Sequence, residues 1–202
     1  MGLSRRPLAV IVITALAAIL MAGCGPTRAG SGGPAPVDPL RLAQILPTPS
    51  GLTEDGVARE APVTDVQEAL AGRPDEGGVE RLEVAGFQAG AIRRWRFRDT
   101  GRLTAVLSVW DERITATSVG SGSVGILADE DGARAWTPSE VPGSQGVQVG
   151  GDDPKAALAI GVGSNLIFLR AVGPVPERAI VRTMQLAVTS AEGGLRGTGE
   201  QE

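Results

Sequence analysis

The strongest structural constraint in this sequence is a run of alternating side chains over residues 91–98. In an extended strand the alternation would place Ala91, Arg93, Trp95 and Phe97 on one side and Ile92, Arg94, Arg96 and Arg98 on the other. Residues 99–102 (DTGR) then supply a turn, and residues 103–110 are rich in β-forming side chains. This segment predicts an antiparallel β-hairpin.

Further strands are predicted in the second half of the chain. Residues 156–162 and 166–172 read as a second hairpin around the turn-forming sequence 163–165 (GSN). Val147 and Val149 indicate another short strand, whereas residues 51–59 are compatible with a loop or a short strand.

Helices are predicted on both sides of the strand-rich region. Asp38 can cap a helix that has Pro39 at its first position, and two prolines soon end that helix. A second helix is predicted to begin at Thr64 with a capping box and to end near Gly72. Residues 79–85 predict one or two helical turns, and residues 177–189 predict a last helix with one apolar face.

These elements predict an α+β domain over residues 38–190. Its antiparallel sheet would have about four to six strands, with helices packed on it, including an N-terminal and a C-terminal helix. Residues 24–37 predict a flexible Gly/Ser/Pro linker, and residues 191–202 a disordered tail. Residues 114–128 stay ambiguous because their glycines and serines weaken a helix.

The N-terminus has the three-part layout of a secretory signal peptide, predicted over residues 1–23. Two arginines precede a run of 15 uncharged, mostly apolar residues at 7–21, and small residues follow. A helix of that length spans about 22 Å, less than the hydrocarbon core of about 30 Å. A cleaved signal is therefore favoured over a membrane-spanning helix.

Residues 20–24 (LMAGC) resemble the lipobox of bacterial lipoproteins, with Met21 where leucine is usual. The resemblance implies that Cys24 receives a diacylglyceryl group, that a dedicated peptidase cuts before it, and that the protein is held at the extracytoplasmic face of the cell membrane. Residues 4–8 (SRRPL) also resemble a twin-arginine export signal, so the export route stays open. The order of elements is similar to small envelope lipoproteins of the α/β-sandwich kind related to PsbP-like domains.

Composition excludes several kinds of chemistry. The chain has no His, so Ser-His-Asp and Cys-His catalysis and imidazole-based zinc sites are impossible. Its one lysine, Lys155, neighbours Asp152 and Asp153, which favour the charged ammonium and not a base. Without the first 23 residues, 17 basic and 23 acidic side chains give a net charge of −6, which argues against nucleic-acid binding. We predict no catalytic residue, metal or cofactor.

A glycine-rich segment and two acidic segments resemble known ligand sites in composition. Residues 120–125 (GSGSVG) match the glycine spacing of dinucleotide-binding loops, but no βαβ unit surrounds them, so a flexible Gly/Ser loop is predicted. The acidic segments 129–131 and 152–153 supply calcium-type oxygen ligands without EF-hand spacing, and are predicted to be solvated turns.

One basic cluster remains as a candidate binding site, and it consists of Arg93, Arg94, Arg96, Arg98 and Arg102. On a strand, Arg94, Arg96 and Arg98 would share a face that docks an anionic group: a phosphate, a lipid headgroup or an acidic glycan. The alternative is a solvated face whose arginine stems cover apolar neighbours. Ile92 on that face indicates that it is partly covered.

Three functions are compatible with the sequence. The first is a non-catalytic, lipid-anchored envelope module that binds a protein or ligand. The second is a carrier of an apolar molecule such as a lipid, which requires a cavity between sheet and helices. The third is a hydrolase that uses two carboxylates facing one another across a cleft.

Overall fold

Seven strands and five helices form the part of the chain that the computed structural model describes, residues 38–58, 60–73 and 76–197. The strands are β1 (Thr53–Ala58), β2 (Phe87–Phe97), β3 (Gly101–Trp110), β4 (Ala133–Trp136), β5 (Gln145–Val149), β6 (Lys155–Val162) and β7 (Asn165–Val172). The helices are α1 (Pro39–Ile45), α2 (Val63–Ala71), α3 (Gly78–Val84), α4 (Arg113–Ala128) and α5 (Glu177–Gly197).

The strands form one antiparallel sheet in the order β1-β2-β3-β7-β6-β5-β4. The predicted α+β class is confirmed, with seven strands instead of four to six. Both predicted hairpins are present, as β2–β3 and β6–β7, and they lie side by side because β3 pairs with β7. The two edge strands account for the higher count. The sequence of residues 51–59 is compatible with either a loop or a short strand at β1, and the sequence does not predict β4.

Helices cover both faces of the sheet and create two apolar cores. On one face, α1 and α5 pack over a core that includes Trp95 and Leu103. On the opposite face, α2, α3 and α4 cover a core that includes Ile92 and Phe168. The alternation in β2 explains this division, since Trp95 and Ile92 point to opposite sides of the same strand. Each fully buried large apolar side chain stabilises the fold by about 1.5–3 kcal/mol.

The ends of the first two helices show how local sequence sets helix boundaries. Asp38 caps α1 as predicted, because its Oδ1 accepts a hydrogen bond from the Leu40 amide at 2.9 Å. The capping box predicted at Thr64 is wrong. The helix begins one residue earlier, at Val63, and its N-cap position is Pro62, which makes no side-chain capping bond. Gly72 ends α2 in the left-handed conformation, as predicted.

The Gly/Ser-rich segment 120–125 is helical, so the flexible loop predicted there is wrong. It lies inside α4, and its hydroxyls bond back to the helix, as Ser123 Oγ does to the Val119 carbonyl at 2.9 Å. An added Cβ on Gly120 would stand 2.8 Å from Leu166 Cδ1, which shows how closely α4 lies against the sheet. Tertiary packing against β5, β6 and β7 thus overrides the low helix propensity.

The last helix is longer than predicted. Residues 191–197, predicted to belong to a disordered tail, continue α5. The apolar face that includes Ile180, Met184 and Ala187 continues to Ala191, which is fully buried. Because that face packs on the sheet, the helix gains tertiary contacts that composition alone does not reveal. Residues 198–202 lie outside the described part of the chain.

Candidate functional site

The predicted arginine face is present at one end of the sheet. Ile92, Arg94 and Arg96 alternate on the side of β2 that faces α2, α3 and α4. Ile92 is fully buried, whereas Arg94 and Arg96 are exposed. The helices therefore cover only part of this face, as Ile92 indicated, and leave its arginine-bearing end open.

Arg98 does not share that strand face. β2 ends at Phe97, and Arg98 lies in the following turn with a φ of 53°. Its guanidinium carbon is 5.0 Å from the centroid of the Phe97 ring, which packs against the core under α1 and α5. The turn begins one residue earlier than the alternation indicated, so Arg98 leaves the predicted set.

The strand register adds residues that the sequence did not connect with Arg94 and Arg96. Arg94 lies directly opposite Thr104 on β3, and Thr104 lies directly opposite Arg170 on β7. In the neighbouring row, Arg96 lies opposite Arg102, and Val172 lies between Arg102 and Lys155. Directly paired residues of antiparallel strands share a face. We call the five cations on this face the basic face: Arg94, Arg96, Arg102, Lys155 and Arg170.

Ion pairs occupy two of the five cations. Arg96 Nε lies 2.9 Å from Asp55 Oδ2, and Lys155 Nζ lies 2.7 Å from Glu130 Oε2. Asp55 stands where the register between β1 and β2 shifts, so the irregularity brings its carboxylate to Arg96. The hydrogen bond from Arg96 lowers the Asp55 pKa, and the charges of Arg102 and Arg94 lower it further.

Arg94 and Arg102 are exposed and, within the described part of the chain, form no ion pair. Arg102 also lies directly opposite Arg96, and like charges in that position destabilise a sheet. The basic face therefore carries cations in excess of what the surrounding structure neutralises.

Arg170 is held in place by the end of α2. Gly72 closes that helix with a φ of 76°, and a Cβ at this position would overlap the Arg170 guanidinium. Arg170 Nη1 is buried without a hydrogen-bond partner among the described residues. Burial lowers the pKa of Arg170, while the charge of Glu130 opposes that effect. Arg170 is therefore a partly buried cation that lies opposite Thr104 with its guanidinium close to the end of α2.

The larger grooves lie mostly outside the basic face. One of about 580 Å³ lies beside the first turn of α5 and includes Arg134 and Glu177. A second, of about 550 Å³, follows the other end of α5 and brings Glu140 and Glu192 together with arginines. Two smaller grooves follow: one of about 400 Å³ between the end of α4 and the strands β4 and β5, and one of about 340 Å³ lined by α2, α3 and α4 without any strand residue. The 580 Å³ groove is also lined by Lys155 and so adjoins the basic face, whereas none of these grooves includes Arg94, Arg96, Arg102 or Arg170.

The acidic segments 129–131 and 152–153, predicted to be solvated turns, lie at the end of α4 and directly before β6. Asp129 is the C-cap of α4, and Asp131 is exposed in the next turn. Asp152 and Asp153 are exposed in the bend before β6. In residues 38–197, apart from the three that the structure omits, no group of three or more Cys, Asp or Glu side chains could hold a metal ion. Cys24 lies outside the described residues.

Comparison with known proteins identifies a fold and no family. No protein-family model and no curated protein matches the chain. The crystal structure of the extracellular domain of PknH from Mycobacterium tuberculosis is similar, with a TM-score of 0.54 and 10% sequence identity. The similarity covers 80% of this chain and 100% of that domain. The two proteins share a fold.

Membrane-spanning helices are absent from the described part of the chain. None of its helices is both long enough and apolar enough to cross a bilayer.

Proposed function

We propose that this protein is a lipid-anchored, extracytoplasmic module that binds an anionic partner through its basic face and performs no catalysis. Export is supported by the signal-peptide layout of residues 1–23, and anchoring by the lipobox-like sequence that ends at Cys24. A fold shared with an extracellular domain is consistent with the same location.

The observation that carries the binding proposal is the charge imbalance of the basic face. Five cations from β2, β3, β6 and β7 share one open end of the sheet, and ion pairs with described residues occupy two of them. Among the described residues Arg94 and Arg102 form no ion pair, and Arg170 feels the charge of Glu130 without pairing with it, in a chain whose net charge is −4. Guanidinium groups are also the side chains best suited to carboxylate and phosphate groups.

Binding can be tested with a fluorescent dextran sulfate and the full chain in neutral detergent. We expect saturable binding at low salt that weakens as ionic strength rises, because exposed charges are screened beyond about 10 Å at moderate salt. Replacing Arg94 and Arg102 together by Gln should weaken binding at least roughly tenfold. The matched control is Arg178→Gln with Arg182→Gln, which removes the same charge from exposed positions of α5. Equal losses in the two double variants would contradict the proposal.

The anchor has its own test. Intact mass spectrometry of protein from native membranes should show a chain that begins at Cys24 and carries acyl groups. A chain that retains Met1, or a Cys24 without lipid, would contradict the proposed anchoring while leaving anion binding to be judged by the dextran sulfate experiment.

A further inference from the structure

The basic face is broad and open. It extends over four adjacent strands, β2, β3, β7 and β6, so its Cα positions span about 14 Å across the sheet. Small molecules bind mainly in concave sites that enclose most of their surface. The groove of about 580 Å³ reaches the basic face only at Lys155, and the exposed side chains of Arg94 and Arg102 stand on the open sheet end. This shape suits an extended anionic surface.

We infer that the basic face lies against the anionic phospholipid headgroups of the same bilayer that holds the lipid on Cys24. The inference rests on the proposed function, because it takes the anchor and the anion-binding face from it. It adds the chemical identity of the partner and the orientation of the domain on the membrane.

The length of the linker permits this orientation. The 13 residues between Cys24 and Asp38 reach at most about 45 Å when extended. Layers of secondary structure pack about 10 Å apart, so a domain of three layers can turn either sheet face toward the bilayer on such a linker. With the flexible linker that the sequence predicts, the surface of the domain decides which face turns toward the bilayer.

The charge distribution of the domain determines which face turns toward the bilayer. Ion pairs with Asp55 and Glu130 occupy two of the five cations of the basic face, and Asp152 and Asp153 precede Lys155, whereas Arg94 and Arg102 are exposed in a chain that is acidic as a whole. An anionic bilayer attracts the basic face and repels the remaining surface. A basic side chain near such a surface contributes about fivefold to binding, which corresponds to about 1 kcal/mol.

Orientation can be measured because the chain has a single cysteine, which the anchor occupies. A second cysteine can therefore carry a fluorescent label at one chosen position of the native lipidated chain. Thr53→Cys places the label on β1 directly opposite Arg96, at the edge of the basic face. Ser139→Cys places it on the other side, beside Glu140, whose carbonyl accepts a hydrogen bond from Gln185 of α5.

Each labelled protein is reconstituted into vesicles that contain a headgroup-linked quencher. The vesicles are either pure phosphatidylcholine or contain roughly a third phosphatidylglycerol, a content at which basic side chains bind an anionic surface. We expect the anionic lipid to increase quenching of the Thr53 label and not of the Ser139 label. The double replacement of Arg94 and Arg102 by Gln should reduce the ratio of facing to non-facing molecules about 25-fold. The double replacement of Arg178 and Arg182 should leave it unchanged.

Identical quenching in both kinds of vesicle, or equal effects of the two double variants, would overturn the inference. If orientation fails but dextran sulfate still binds in an Arg94- and Arg102-dependent manner, the partner is a different polyanion and the proposed function stands. If both measurements fail, both proposals are wrong.

Discussion

Arg93 Nη1 donates a hydrogen bond of 2.8 Å to the backbone carbonyl of Ala43. The same nitrogen also bonds the Leu46 carbonyl, so one guanidinium satisfies two acceptors at the end of α1. Arg93 is buried on β2, and its Nη2 pairs with Glu54 at 2.8 Å. Through this side chain the first helix after the linker is attached to the sheet.

Replacing Arg93 by Met should lower the free energy of unfolding by about 2–4 kcal/mol, because two buried carbonyls lose their donor. Glu54→Gln is the matched control. The Glu54 side chain is 47% exposed, so its ion pair should contribute less than about 1 kcal/mol. Chemical denaturation of both variants checks the difference, and equal losses would show that the ion pair, and not the helix-end bonds, dominates.

Substitutions at Gly72 and Arg170 should have non-additive effects on the free energy of unfolding. Gly72→Ala adds a Cβ that overlaps the guanidinium and also strains a φ of 76°. We expect Gly72→Ala to lower the free energy of unfolding by about 1–2 kcal/mol, against about 1 kcal/mol for Gly132→Ala, which has a φ of 79° but open space around its Cβ. The additional loss is small because the overlapped atoms are the end of a flexible side chain, which can move. Thermal or chemical unfolding measures both losses. Adding Arg170→Ala should relieve part of the Gly72→Ala loss, and strictly additive losses would contradict the overlap.

Two glycines of α4 should respond in opposite directions to replacement by alanine. Gly122→Ala meets no atom within 4 Å, so the better helix propensity should raise the free energy of unfolding by about 0.5–1 kcal/mol. Gly120→Ala would place its Cβ 2.8 Å from Leu166 Cδ1 and 3.2 Å from Ala159 Cβ. This crowding should lower the free energy of unfolding by about 1 kcal/mol. Denaturant titration of the two variants tests the helical packing of this segment, and stabilisation by both would contradict it.

The pKa of Asp55 should depend on the arginines of the basic face. Its pKa lies below the ordinary value of 3.8, so the stabilisation it provides is complete above about pH 4 and is lost as pH falls through the folded pKa. Arg96→Gln should raise that pKa most, because it removes the hydrogen bond, and Arg102→Gln and Arg94→Gln should raise it less. Carboxyl-carbon NMR titration measures the three shifts, and an unchanged Asp55 pKa in Arg96→Gln would contradict the assignment.

Much of the fold was predictable because local patterns and tertiary packing agree. The alternation around Trp95 predicted β2 and its hairpin partner, and Asp38 with Pro39 predicted the start of α1. Where packing outweighs local preference, prediction failed. The Gly/Ser-rich sequence of α4 does not indicate the helix that it forms. Strand β4 has only four residues, which are too few to show a strand pattern.

The candidate site was predictable only in part, for a geometric reason. Arg94 and Arg96 belong to one strand, so alternation alone places them together. Arg170 and Lys155 join them through the pairing of β3 with β7 and of β7 with β6, which a single sequence does not specify. The prediction that Arg98 lies on the strand face is wrong. The chain turns at Arg98, which has a left-handed backbone conformation, one residue before the predicted turn at residues 99–102.

The most direct test of the basic face is a residue-resolved binding map. In an amide NMR titration of the full chain in neutral detergent with a short dextran sulfate, we predict saturable shift changes centred on Arg94, Arg102, Thr104 and Arg170. They should disappear at high salt. Shift changes centred on the grooves along α5, or none at concentrations that saturate binding, would contradict the account.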